Sequence, residues 1–220
     1  MSFNKWFPLL GALVLLVCCK ESGKGGEQVA LSPSQEVETL PYFNSPQFTP
    51  EWEKGVHRIP DFSFTNQLGE EVTHKTLEGK IYVADFFFTI CPGICPKLTK
   101  NMGALQDTYK NDPEIQFLSH TVMPWIDTVD RLAVYAEENG ITLPKWYLVT
   151  GNKDSLYHIA REGYFVDYDV IENSGDDDFI HTENFILVDG EGYIRGVYNG
   201  TLELEVKRLM RHIKILKKEI

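Results

Sequence analysis

Two cysteines carry the most specific chemistry in this sequence. Cys91 and Cys95 stand four positions apart in TICPGICPKLTKNM (residues 89–102), and each is followed at once by proline. Three chemistries use such a pair: a structural disulfide, a redox couple that cycles, and two soft ligands of a metal ion. Proline confines the residue before it to extended conformations, so both cysteines are expected outside a helix. Pro96 suits the first helical position, where a missing N–H costs nothing. That puts Cys95 at or near an N-cap and Cys91 in the loop just ahead. The positive end of a helix stabilises thiolates, so both sulfurs are expected to be reactive and reachable. Lys97 and Lys100 run against the dipole preference and are read as solvated side chains, tolerable beside anionic sulfur. Two cysteines do not close a structural zinc site, which wants four ligands. Two thiolates with one imidazole suit copper, and a histidine is therefore needed.

The elements that must hold this loop are legible in the hydrophobic pattern. DFSFTNQLGEEVTH (61–74) reads as a hairpin turning near Asn66 to Gly69. IYVADFFF (81–88) is a continuous apolar run, as expected for a central strand covered on both faces. Ile94, Leu98, Met102, Leu105 and Tyr109 step along one helix face, and IQFLSHTV (115–122) is a second strand. Val129, Leu132, Ala133 and Ala136 mark another helix, closed by Asn139-Gly140. KWYLVT (145–150) is a strand and SLYHIARE (155–162) a short helix. NFILVD (184–189) and YIRGVYN (193–199) form a hairpin, and Leu202 to Ile220 carries a last amphipathic helix. This order predicts an α/β fold: a thioredoxin-like sandwich with a central mixed sheet flanked by helices and preceded by an N-terminal hairpin.

That fold singles out one histidine of six. His57 and His74 lie in or beside the first hairpin, His158 and His212 on helices, and His120 at a strand end. His181, in DDDFIHTENFILVD, follows an acidic loop and precedes a strand whose entry passes close to the cysteines in a thioredoxin-type sheet. Asp176 to Asp178 are read as a solvated loop. Asp85 is the other unusual residue: a carboxylate inside an apolar strand is costly without a purpose or partner. It lies six positions before Cys91, an arrangement that resembles thioredoxins, in which an aspartate at this offset assists proton transfer. A carboxylate bonded to nearby backbone or to a polar side chain is the competing structural role.

The whole chain sets the context. Its 220 residues are 43% hydrophobic with a formal net charge of −11, which allows one well-buried domain and excludes nucleic acid as the main partner. No internal repeat is evident. Residues 1–18 read as a lipoprotein signal peptide: Lys5, then an apolar run too short to span a bilayer. The string LVCC resembles a bacterial lipobox with Cys19 as the lipidated residue, although Cys18 beside it competes. Residues 19–54 form a tether whose late aromatics, Tyr42, Phe43, Phe48 and Trp52, are expected to lie against the domain, and residues 55–220 form that domain. Removal of Cys18 and lipidation of Cys19 leave Cys91 and Cys95 as the only thiols of the mature domain.

FFFTICPGICP and HTENFILVDGEGYIRGVYNG together resemble the Sco/SenC family of copper chaperones for cytochrome c oxidase. VDRLAVYAEENG and REGYFVDY also fit, and the similarity runs from about Ile59 to the C-terminal helix. The resemblance implies that Cys91, Cys95 and His181 bind Cu(I) or Cu(II). It also implies delivery of copper to the CuA site of oxidase subunit II, outside the cytoplasm and from a membrane-anchored position facing the periplasm. Two departures stand out: Gly93 where the family usually has an acidic residue, and Met123-Pro124 where it often has Asp-Pro. Met123 is expected to pack rather than to bind metal. A thiol–disulfide oxidoreductase acting through Cys91, Cys95 and Asp85 on CuA-site or other extracytoplasmic disulfides is the alternative, with a peroxiredoxin-like peroxidase behind it.

Overall fold

The computed structural model describes residues 38–166 and 182–219. The predicted signal peptide, the predicted lipidation site Cys19 and most of the predicted tether lie outside these residues, as do His181 and Asp176 to Asp178. Among the described residues are nine strands and five α-helices: β1 Tyr42–Phe43, β2 Pro50–Glu51, β3 Ser63–Asn66, β4 Glu71–Thr73, α1 His74–Leu77, β5 Ile81–Phe87, α2 Cys95–Tyr109, β6 Ile115–Thr121, α3 Val129–Glu138, β7 Trp146–Thr150, α4 Lys153–His158, β8 Asn184–Val188, β9 Ile194–Asn199 and α5 Glu203–Leu216. A single π-turn, Ile159–Gly163, continues α4.

Seven strands form one mixed sheet in the order β4-β3-β7-β6-β5-β8-β9. β5, β6 and β7 run parallel at its centre, and the flanking hairpins pair antiparallel. Every residue of β5 is buried, which explains its unbroken apolar sequence: a strand covered on both faces has no solvent side to mark by alternation. Ile81, Val83 and Phe87 join one core with Leu98, Met102 and Leu105 of α2 and Val206, Leu209 and Ile213 of α5. Tyr82, Ala84 and Phe86 join the other, with Leu156 and Tyr157 of α4 and Tyr164 beyond the π-turn.

The predicted hairpins and helices are present, with local differences. Leu98, Met102, Leu105 and Tyr109 form the buried stripe of α2, whereas Ile94 is exposed ahead of it. Gly140 follows α3 at φ +65°, a backbone conformation that glycine adopts without a Cβ clash. Residues 38–54 lie against the sheet. Arg195, 4% exposed, pairs with Asp189 at 3.1 Å and Glu219 at 2.5 Å, donates to the Leu40 and Pro41 carbonyls, and covers the Tyr42 ring at 4.1 Å. Buried charge of this kind persists only when fully paired. Phe48 meets Phe165 edge-on, and Trp52 remains exposed. No described helix is long and apolar enough to cross a membrane.

Candidate thiol and metal site

The parallel strand β5 ends at Phe87, and the chain must turn before α2 can return across the sheet. The turn carries Cys91; α2 begins at Cys95, with Ile94 as N-cap and Pro96 inside the first turn. The cap thus falls one residue earlier than the proline rule predicted. Cys95 is the first helical residue because Pro96 restrains it without forbidding the helix's opening position. Asn101 of α2 donates to the Gly200 carbonyl at 2.7 Å, tying the helix to the β9–α5 turn.

The two cysteines are free thiols in unequal surroundings. Cys91 is half-buried. Its thiol has the Cys95 thiol and the backbone of Cys95, Gly93 and Ile94 as neighbours; burial pushes it up, yet these neighbours together hold it below the ordinary thiol range. The backbone at a helix start favours an anion. Cys95 is 4% exposed and packs in the core with Leu98 and Phe185. Burial raises its thiol well above the usual range, with the neighbouring Cys91 and Asp85 charges adding to the rise against the Phe88 backbone. The expectation that both sulfurs favour thiolates and face solvent is therefore corrected. Only Cys91 does so, because the sheet and α2 enclose its partner.

Asp85 lies on the face of β5 that α2 covers and is 2% exposed. Ser119, its register partner on β6, donates a hydrogen bond to its carboxylate, and the Trp146 indole donates to the Ser119 hydroxyl at 2.8 Å. Burial pushes the Asp85 carboxyl up to about 7, opposed by the Ser119 hydrogen bond. Ser119 and Trp146 carry no signal in the sequence; both look like ordinary strand residues.

The other candidates fall away from the sulfurs. His57 bonds the Gly163 carbonyl at 2.8 Å, His74 faces Asp61 at 3.3 Å, and His212 bonds the Tyr198 hydroxyl at 2.7 Å. His120 is buried among aromatic rings on the opposite face of the sheet, and His158 sits on exposed α4 surface. Met123 is buried in the cluster across the sheet from Cys95, so it packs as expected. Lys97 and Lys100 are exposed. At Gly93 an added Cβ would meet the Cys91 sulfur at 4.0 Å, an ordinary contact, so the departure there opens space without being forced by it. Among the described residues no three His, Cys, Asp or Glu side chains converge to hold a metal. The two free, neighbouring soft sulfurs themselves fit a soft ion.

A dithiol at the mouth of a helix, fed by the central strand of a mixed sheet with helices on both faces, defines a protein of thioredoxin-like architecture. A SCO1/SenC family model matches residues 52–217, and the chain belongs to that family. Among solved structures it is similar to a SCO1/SenC family lipoprotein from Bacillus anthracis str. Ames, with 30% identity, a TM-score of 0.64, and 73% of this chain and 95% of that one covered. It is also similar to BsSco, described as a member of the Sco family of cytochrome c oxidase assembly proteins with a disulfide switch (25% identity, TM-score 0.61, 73% and 93% covered). Arabidopsis thaliana ScoI, solved with copper bound, matches at 26% identity and a TM-score of 0.58, with 72% and 98% covered.

Proposed function

We propose that the protein is an extracytoplasmic copper metallochaperone that assists assembly of the CuA site of cytochrome c oxidase. Cys91, Cys95 and His181 are the assigned ligands. The observation that carries this reading is the pair of free thiols at the start of α2, with the Cys91 thiol held below the ordinary range by Cys95 and the backbone of residues 93–95. Two soft sulfurs and one imidazole give a nearly trigonal copper site, open enough for a client to replace the ligands one at a time. His57, His74 and His212 are engaged elsewhere, His120 lies in the cluster across the sheet and His158 on the surface of α4, and the family resemblance implies His181 as the imidazole. The copper-bound ScoI and the oxidase-assembly description of BsSco support the cargo and the client class. Lipidation at Cys19 is the proposed anchor, consistent with the lipoprotein relative. The domain then stands on the tether and faces the periplasm, with oxidase subunit II as partner.

The test is copper stoichiometry and affinity of the reduced protein beside its His181→Ala variant. The variant is expected to lose affinity by at least two orders of magnitude while disulfide exchange continues, in line with removal of one of three ligands. Equal affinity in the two proteins defeats the assignment.

A second reading, thiol–disulfide exchange, is favoured by Asp85, whose carboxyl is held up to about 7 in the core beneath the thiols. In that reading Cys91 is the attacking thiolate. Asp85 takes the proton of the Cys95 thiol as that sulfur attacks the mixed disulfide and releases the client thiolate. Insulin reduction by Asp85→Asn is expected to slow about tenfold; an unchanged rate removes Asp85 from the mechanism.

A further inference from the structure

A second buried carboxylate reaches the cysteine loop from a different element. Asp127 is fully buried in the turn between β6 and α3. The turn closes tightly, with the Ile126 and Asp127 N–H groups both bonding the Met123 carbonyl at 2.9 Å, and it points the carboxylate back at the end of the sheet. There it accepts from the Thr89 backbone N–H at 3.3 Å, from the Thr89 hydroxyl at 2.5 Å and from the Thr121 hydroxyl. The Arg131 guanidinium donates to the same Thr89 hydroxyl at 2.6 Å and lies 3.9 Å from the carboxylate. Thr121 pairs in register with Phe87, the last residue of β5. One carboxyl group therefore joins the end of β6, the end of β5 and the first residues of the cysteine loop.

An ordinary helix-capping role does not account for this. Thr128 is the N-cap of α3, and its own side chain accepts from the Arg131 N–H. The Asp127 partners are instead Thr121 at the end of β6 and Thr89 of the cysteine loop, which is 38 residues from Asp127 in sequence and two before Cys91. A carboxylate buried away from water needs hydrogen-bond donors in place of its solvent. Here the donors include both polar groups of Thr89, main chain and side chain, which fixes that residue's orientation as well as its position. The Cys91 N–H then bonds the Phe88 carbonyl at 3.2 Å, so the anchored residue sits inside the turn that aims the Cys91 sulfur.

We propose that Asp127 is the positioning residue of the cysteine loop. Through Thr89 it holds the Cys91 sulfur against the backbone of residues 93–95 and beside Cys95, and thereby sets the geometry met by a soft metal ion and the ease with which the disulfide closes. This rests on the reading of the two sulfurs as a functional pair. Asp127 touches neither metal nor client; it acts through Thr89.

Full-length Asp127→Asn, Thr89→Val and the control Asp130→Asn are compared with the parent protein. Asp130 is the adjacent carboxylate of α3 and has no bond to Thr89 among the described contacts. Two readouts are used, with thermal melting alongside: the thiolate–copper charge-transfer band and copper dissociation rate of the reduced protein loaded with copper, and the Cys91–Cys95 equilibrium with glutathione in metal-free protein. Asp127→Asn is expected to broaden or shift the band, release copper at least tenfold faster and, with the Cys91 sulfur no longer held beside Cys95, disfavour the disulfide about tenfold, a rise in potential of about 30 mV. Thr89→Val, which keeps the carboxyl group and the main-chain contact, is expected to move each readout about threefold, and Asp130→Asn neither. A lower melting temperature with band, release rate and disulfide equilibrium all within twofold of the parent overturns the proposal, leaving Asp127 a stabiliser of the fold. Should Asp127→Asn fail to fold, the Thr89→Val result decides in the same way. If the parent itself binds no copper, the chaperone reading fails, and the metal-free equilibrium still judges Asp127.

Discussion

Asp85 and His120 are two buried ionisable side chains on neighbouring central strands, one on each face of the sheet. Asp85 lies on the face covered by α2, accepts from Ser119 and through it contacts Trp146. His120 lies on the other face, stacked on Phe86 with centroids 5.0 Å apart and edge-on to Phe64 and Tyr164. Neither of its ring nitrogens has a hydrogen-bond partner of good geometry, and the Asp85 backbone acts on the ring only as a minor opposition to burial. Burial pushes both groups towards neutrality, the carboxyl up to about 7 and the imidazole down to about 3. The same physics therefore acts on both, and only one stands on the sulfur side of the sheet. Asp85 is connected, by charge to Cys95 and by hydrogen bonds to groups that can answer a change in its protonation. His120 is an aromatic filler that happens to carry nitrogen. Burial of a titratable group alone does not mark a functional site; the face of the sheet and the partners do.

The sharpest way to break this comparison is pH-dependent stability, because the two groups act with opposite sign. Asp85 titrates higher in the folded protein than its ordinary 3.8. The native state therefore holds the proton longer, and stability falls as pH rises from about 4 to about 7. The shift corresponds to on the order of 4 kcal/mol, so Asp85→Asn is expected to abolish that decline in urea denaturation series between pH 4 and pH 8. An unaltered slope would place the proton elsewhere. His120 titrates lower than its ordinary 6.5, so its contribution is present above pH 6.5 and is lost as pH falls towards 3. His120→Phe suits the surrounding rings and is expected to be about 3 kcal/mol more stable than the parent at pH 4, with little difference at pH 8. Equal acid stability of the two proteins would mean that the imidazole has a polar partner. Ser119→Ala is expected to have the smallest effect. It removes the hydrogen bond that opposes the Asp85 shift and leaves the Trp146 indole unpaired, lowering stability by about 1–3 kcal/mol. It also moves the Asp85 midpoint above 7, read as a displaced step in the pH–stability curve.

What could be read without coordinates was local. The β5 run, the α2 stripe and the closing hairpin each repeat with a period that a short window reveals. The tandem Cys-Pro pattern marks a loop entering a helix within a residue of where α2 begins. Asp85 was visible because a carboxylate breaks an apolar strand. Asp127 was not, since an aspartate ahead of a helix looks like any capping residue and its target, Thr89, lies far upstream. The inequality of the two thiols was hidden for a similar reason. Cys91 and Cys95 have matching neighbours in the chain, and what separates them is the core closing over one sulfur.

The amino-acid order by itself determined the elements, the place of the dithiol between strand and helix, and the soft-ligand chemistry that two cysteines offer. These follow from backbone restraint, hydrophobic periodicity and donor type, all of which act within a few residues. Tertiary structure alone decided which thiol is buried, which buried ionisable group stands on the sulfur side of the sheet, and which distant carboxylate anchors the loop. Those are matters of dielectric and hydrogen bonding across strands, and they exist only once segments far apart in the chain are packed together.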